Sequence, residues 1–157
     1  MELRLTADDF FTGLFSALAL KNWSVISLRN DQFDAAVADV FSLLQTIAKK
    51  ENYNLRFRVR LHPLHSDSST VRDSVTSAIK RNLISLDNPM FQDIRLKMSK
   101  MEAQSYLTTL PGGAELFFKL ADEFCRQFYA FAQQHHETTS SKGIQKRDRA
   151  VHKRATR

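Results

Sequence analysis

Apolar side chains recur every three or four residues in several stretches of the chain, which is the spacing of one face of a helix. Thr6, with Asp9 three residues later, has the spacing of a capping box and predicts a first helix that continues to about Leu20. A second helix is predicted to begin after Asn30 or Asp31. Its apolar face comprises Phe33, Val37, Val40, Phe41, Leu44, Ile47 and Ala48.

Three more helices are predicted in the second half of the chain. Thr70 with Asp73 repeats the capping-box spacing and predicts a helix that ends near Asn82. A short helix is predicted over residues 99–107, before the turn residues of LPGG. The last helix is predicted over residues 114–134. Its broad apolar face comprises Leu116, Phe117, Leu120, Ala121, Phe124, Phe128 and Phe131.

Strict alternation of apolar and polar residues predicts strands, because successive side chains of a strand point to opposite faces. The clearest case is NYNLRFRVRLH at residues 52–62, and FQDIRLKM at residues 91–98 alternates in the same way. WSVISL at residues 23–28 is short and rich in Trp, Val and Ile, which also favours a strand. In the first stretch Leu55, Phe57, Val59 and Leu61 are predicted to point inward, and Arg56, Arg58, Arg60 and His62 outward.

The order of these elements predicts an α+β fold. A parallel sheet covered on both faces would have continuously apolar strands, whereas the two best strands here alternate. We therefore expect a small, mainly antiparallel or mixed sheet of about three strands, with the helices packed on one face and a long C-terminal helix. Residues 1–135 are predicted to form one domain, and residues 136–157 a disordered basic tail.

Composition narrows the class of protein. The chain has 157 residues, 43% of them apolar, which is enough for one domain with its own core. Cys125 is the single cysteine, so an internal disulfide is excluded. Neither a signal peptide nor an apolar run long enough to cross a membrane is evident. These features predict an intracellular protein without membrane contact, cytoplasmic, or nuclear if the source is eukaryotic.

The net charge of +6 is concentrated at one end: residues 136–157 carry seven Lys or Arg and two acids, and the other residues are nearly balanced. No Asp or Glu lies between Asn52 and Ser66, so the arginines there have no local partner. This favours a noncatalytic protein that binds the phosphate backbone of DNA or RNA. The alternative is that these charges only protect an open strand from aggregation. The predicted binding residues are Arg56, Arg58, Arg60, Arg95, Lys97, Lys146, Arg147, Arg149, Lys153 and Arg154.

A second hypothesis concerns the last helix, where Phe118, Cys125 and Tyr129 form another apolar stripe. This stripe predicts an assembly protein that forms a homodimer or binds a protein partner. The metal-ligand candidates are His62, His65 and Asp67, and no second cluster supplies the remaining ligands except, at a distance in the sequence, His135 and His136. No catalytic motif is found, so we predict neither an enzyme nor a cofactor.

Overall fold

The computed structural model describes residues 2–65, 67–86 and 92–128, and within them it combines helices with two small sheets. The mixed α and β class predicted from the sequence is confirmed. The elements are β1 (Leu3–Leu5), α1 (Ala7–Leu20), β2 (Val25–Ser27), a 3-10 turn (Arg29–Asp31), α2 (Gln32–Glu51), β3 (Tyr53–Leu55), α3 (Ser69–Lys80), β4 (Ile84–Ser85), β5 (Asp93–Leu96), α4 (Lys100–Thr109) and α5 (113–128).

Helix α1 is buried on all sides. Every residue from 10 to 19 is buried. On one side the ring of Phe15 stacks on that of Phe33 in α2, with centroids 6.2 Å apart. The two buried hydroxyl groups in this stretch, those of Thr12 and Ser16, both have hydrogen-bond partners. Ser16 Oγ donates to the carbonyl of Thr12 at 2.7 Å, and Thr12 Oγ1 accepts from Arg81. The helix therefore forms the centre of the core.

Helix α5 approaches α1 at Gly13. A Cβ atom added at Gly13 would lie 2.2 Å from Cε1 of Phe117, whose side chain is fully buried. That distance is far inside van der Waals contact, so the glycine is needed here for space. The two helices are consequently in direct contact at this point, with the Phe117 ring filling the place of the missing side chain.

Local hydrogen bonds fix where the helices begin. The capping box predicted for α1 is confirmed: Asp9 N donates to Thr6 Oγ1, and Thr6 N donates to Asp9 Oδ2, both at 3.1 Å. The cap predicted at Thr70 is wrong. Helix α3 begins earlier, and Ser68 caps it by accepting a hydrogen bond from Val71 N. Asp31 precedes α2 but makes no side-chain capping bond.

The strands form two sheets and not the single sheet predicted. Strands β1 and β3 pair in parallel, and β2, β5 and β4 form an antiparallel sheet with β5 in the middle. The strand predicted over residues 52–62 is wrong in length, because β3 ends at Leu55. Its partner β1 ends at Leu5, where the chain turns into α1, so residues 57–61 have no strand beside them in the described structure.

The other strand predictions are correct in place but too long. The stretch predicted over residues 23–28 pairs only over β2, and the stretch predicted over residues 91–98 pairs only over β5, with residue 91 outside the described residues. Strand β4 was not predicted, since two residues are too few to show alternation. In the part of the chain that the structure describes, no helix is both long enough and apolar enough to traverse a lipid bilayer.

The contact between Gly13 and Phe117 gives a stability prediction. Alanine favours a helix over glycine by about 1 kcal/mol, but the added methyl group would overlap the buried Phe117 ring. We expect Gly13→Ala to lower the free energy of unfolding by about 2 kcal/mol, measured by chemical denaturation. Adding Phe117→Leu to this variant should cost less than the same change in the native chain, because it makes room for the methyl group. A more stable Gly13→Ala variant would contradict the packing.

Candidate nucleic-acid interface

The chain that leaves β3 carries three arginines on one side. Residues 56–62 contain no helix, turn or bend, and over residues 56–60 exposed side chains alternate with more buried ones, as they do in an extended chain. Arg56, Arg58 and Arg60 are exposed, and we call these three side chains the arginine row. Alternate side chains of an extended chain lie about 6.8 Å apart, twice the rise per residue. The arginine row therefore presents three guanidinium groups on one side of the segment.

Two inward side chains hold the arginine row in place. The ring of Phe57 lies 5.3 Å from that of Phe10 in α1 and 5.1 Å from that of Phe41 in α2. Val59 is buried, with 7% of its surface exposed. The predicted inward position of Leu61 is wrong, since 38% of its surface is exposed just before the turn over residues 63–65. Because Phe57 and Val59 are fixed in the core, the arginines between them point to solvent.

No carboxylate in the described residues neutralises the arginine row. The ion pairs found there all use other cations, namely Lys21, Arg72, Arg81, Lys119 and Arg126. Neither do the three arginines donate a side-chain hydrogen bond to any described residue. Their positive charge is therefore available to an external anion.

A fourth arginine, Arg4, joins this surface and was missed by the sequence analysis. Parallel pairing of β1 with β3 places Arg4 opposite Asn54, and residues directly opposite in a sheet share a face. Arg56 lies two residues beyond Asn54, and its backbone N donates to Leu5 O at 2.8 Å. The exposed Arg4 therefore lies beside the start of the arginine row. The sequence indicates a short strand over residues 2–5, but it does not show that this strand pairs with β3 and so brings Arg4 to the arginine row.

The other two predicted sheet cations lie elsewhere. Arg95 is exposed in β5, opposite Val25 and Ser85, and Lys97 follows the same strand. Strand β5 has no pairing with β3, and along the chain α1 separates β1 from β2. Lys97 Nζ also lies 3.5 Å from Asn82 Oδ1. The arginine row thus lies on the segment after β3, whereas Arg95 and Lys97 lie in and just after β5 of the antiparallel sheet.

The histidine loop makes local contacts. The rings of His62 and His65 stack with centroids 4.7 Å apart, and Nδ1 of His62 accepts hydrogen bonds from the backbone N of Leu64 and His65. Asp67 forms an ion pair with Arg72. Within the described ranges, no group of three or more His, Cys, Asp or Glu side chains is arranged to hold a metal ion.

The apolar stripe predicted on the last helix is described only in part. Phe118 and Cys125 are half-buried and pack against the core of this one chain. Burial raises the pKa of the Cys125 thiol, with Lys21 opposing this effect. Assembly through this helix stays a prediction. Tyr129 lies outside the described residues, as do the basic tail, the predicted domain boundary at residue 135 and the cations Lys146, Arg147, Arg149, Lys153 and Arg154.

A half-buried carboxylate, Asp34, joins α2 to the start of α3, downstream of the arginine row. Oδ2 of Asp34, in the first turn of α2, accepts a hydrogen bond from Ser68 N at 2.9 Å, and Ser68 in turn caps α3. Burial raises the pKa of Asp34, while the bond from Ser68 opposes the rise; the nearby charges of Asp31 and Asp67 add to it. Asp34 thus links the first turn of α2 to the residue that caps α3.

Comparison with known proteins supplies no further assignment: the chain matches no family model, and no curated protein or solved structure matches it.

The buried carboxylate makes stability depend on pH. Because the pKa of Asp34 is raised in the folded chain, its contribution to stability is fully present below the ordinary value of 3.8 and is lost as the pH rises through the raised pKa. We expect Asp34→Asn to raise the thermal midpoint at neutral pH, with the difference from the native chain shrinking as the pH falls. If the thermal midpoints of the two proteins changed in parallel with pH, ionisation of Asp34 would not destabilise the fold and the prediction would be wrong.

Proposed function

We propose that this protein is a noncatalytic nucleic-acid-binding protein that contacts the phosphate backbone of DNA or RNA. The observation that carries the proposal is the arginine row: three exposed guanidiniums on an anchored segment, with no carboxylate partner in the described residues. Arg4 extends this surface across the two-stranded sheet. The basic tail adds positive charge to the same chain and, in the proposal, attracts the same ligand without sequence preference.

Guanidinium chemistry and spacing both suit phosphates. Arginine can donate two parallel hydrogen bonds to one phosphate group, which a lysine ammonium cannot do in the same fixed geometry. Phosphates of one strand recur about every 3.4 Å along the axis of B-DNA. Groups about 6.8 Å apart can therefore meet alternate phosphates. Since Phe57 and Val59 are held in the core, the row needs little reordering on binding.

The arginine row has no exposed aromatic ring on which a base could stack. Single-stranded recognition commonly stacks bases on exposed aromatic rings. The aromatic side chain within the row, Phe57, instead packs against Phe10 and Phe41. Binding is therefore proposed to be largely independent of sequence and to act through charge, with affinity that falls as salt concentration rises. Arg95 and Lys97, on the second sheet, are proposed as a separate and weaker contact.

The proposal predicts a specific loss of salt-dependent binding. Arg58→Glu with Arg60→Glu should weaken binding to duplex DNA and RNA by more than about tenfold, because two phosphate contacts become repulsive. In a fluorescence anisotropy titration at several salt concentrations, the slope of log affinity against log salt should fall by about 2.

A charge-matched variant provides the control. Lys80→Glu with Lys100→Glu makes the same change in net charge at exposed positions outside the arginine row, and it should retain most of the affinity and slope. Arg95→Glu with Lys97→Glu measures the contribution of the second sheet. If the two variants outside the row weaken binding as much as the arginine pair does, the row is not the binding site.

A further inference from the structure

The backbone between Arg56 and His62 has no hydrogen-bond partner among the described residues, just as the side chains of the arginine row have none. Arg56 N donates to Leu5 O at 2.8 Å, and His62 N donates to Asp67 O at 2.6 Å. Between these two bonds, no backbone hydrogen bond involves residues 57–61 in the described structure. The backbone donors and acceptors of five consecutive residues are therefore unpaired in the described structure, as they are at the open edge of a strand.

Such an edge is suited to strand addition. An extended peptide can bind beside an open strand through main-chain hydrogen bonds, while alternate side chains provide the specificity. Here the core fixes which side chains face outward, because Phe57 contacts Phe10 and Phe41 and Val59 is buried. Pro63 limits the edge at its far end, since proline has no backbone N–H to donate. The receptive edge is thus short and preformed.

Charge determines which strand fits. Residues opposite each other across a strand pair contact through their side chains, and like charges there are unfavourable. A second copy of this chain, paired through the same edge, would bring arginine against arginine. The chain's own C-terminal segment is also basic. A strand with a carboxylate at every second position would instead bring an acid against each of Arg56, Arg58 and Arg60.

We propose that residues 57–61 form a strand-addition site for an extended acidic segment of a partner protein, in which Asp or Glu alternates with apolar residues. The main chain of the partner pairs with this edge, its acidic side chains bind the arginine row, and its apolar side chains face the core side. Such a segment competes with nucleic acid for the same guanidiniums, so the two ligands exclude each other.

The test uses the full-length protein and labelled synthetic peptides. A peptide of alternating glutamate and valine should bind at least about tenfold more tightly than one with the same residues in two separate blocks. Two methylated versions of the alternating peptide carry N-methyl groups on the glutamates or on the valines. Because N–H groups of alternate residues point to opposite edges, one methylated peptide should lose about tenfold in affinity and the other should bind normally.

Hydrogen exchange gives an independent measurement. Binding of the alternating peptide should slow exchange at alternate amides within residues 57–61, while Arg58→Glu with Arg60→Glu should abolish the effect. Equal binding of all four peptides, without amide protection, would overturn the proposal and show attraction by charge alone. Duplex binding that depends on the arginine row, together with that result, would leave the nucleic-acid proposal standing. Selective peptide binding without any duplex binding would support strand addition and reject the nucleic-acid proposal.

Discussion

The burial of α1 on all sides over residues 10–19 is the constraint on which the rest of this structure depends. A helix that is apolar around its whole circumference must be covered on every side. Helices α2 and α5 contact it through Phe33 and Phe117, and Arg81 at the end of α3 donates a hydrogen bond to Thr12 Oγ1. With the centre of the domain occupied by a helix, the strands cannot unite in one central sheet. They form two sheets instead. Strand β1, which precedes α1, pairs with β3, and β2, which follows α1, joins β5 and β4.

The same constraint produces the exposed arginines. Strand β1 has to end at Leu5 because the capping box at Thr6 starts α1, so β3 loses its partner after three residues. The chain beyond β3 nevertheless stays extended, since Phe57 inserts its ring between Phe10 and Phe41. A segment that is fixed by its inward side chains but has no neighbouring strand leaves both its backbone and its outward side chains open.

Sequence patterns predicted the parts of this fold that depend on local interactions. The α1 capping box involves residues three apart, and the faces of α2 and α5 repeat over several turns, so their signals are strong. Strand pairing depends on residues distant in sequence. The alternation around Arg58 correctly predicted an exposed row, yet it could not show that β3 pairs with β1 or that Arg95 lies in another sheet. Arg4 was missed for the same reason.

The choice of arginine separates a protective role from a binding role. A row of like charges prevents an open edge from pairing with a copy of itself, and lysine serves that purpose at least as well. Arginine adds a rigid fork that matches the oxygens of phosphates and carboxylates. In the described residues no carboxylate pairs with these three guanidiniums. Other arginines do have such partners: Arg72 pairs with Asp67, and Arg81 pairs with Asp8. The charges of the arginine row thus disfavour pairing of this edge with a second copy of itself, while its three guanidinium groups stay free to bind an anion.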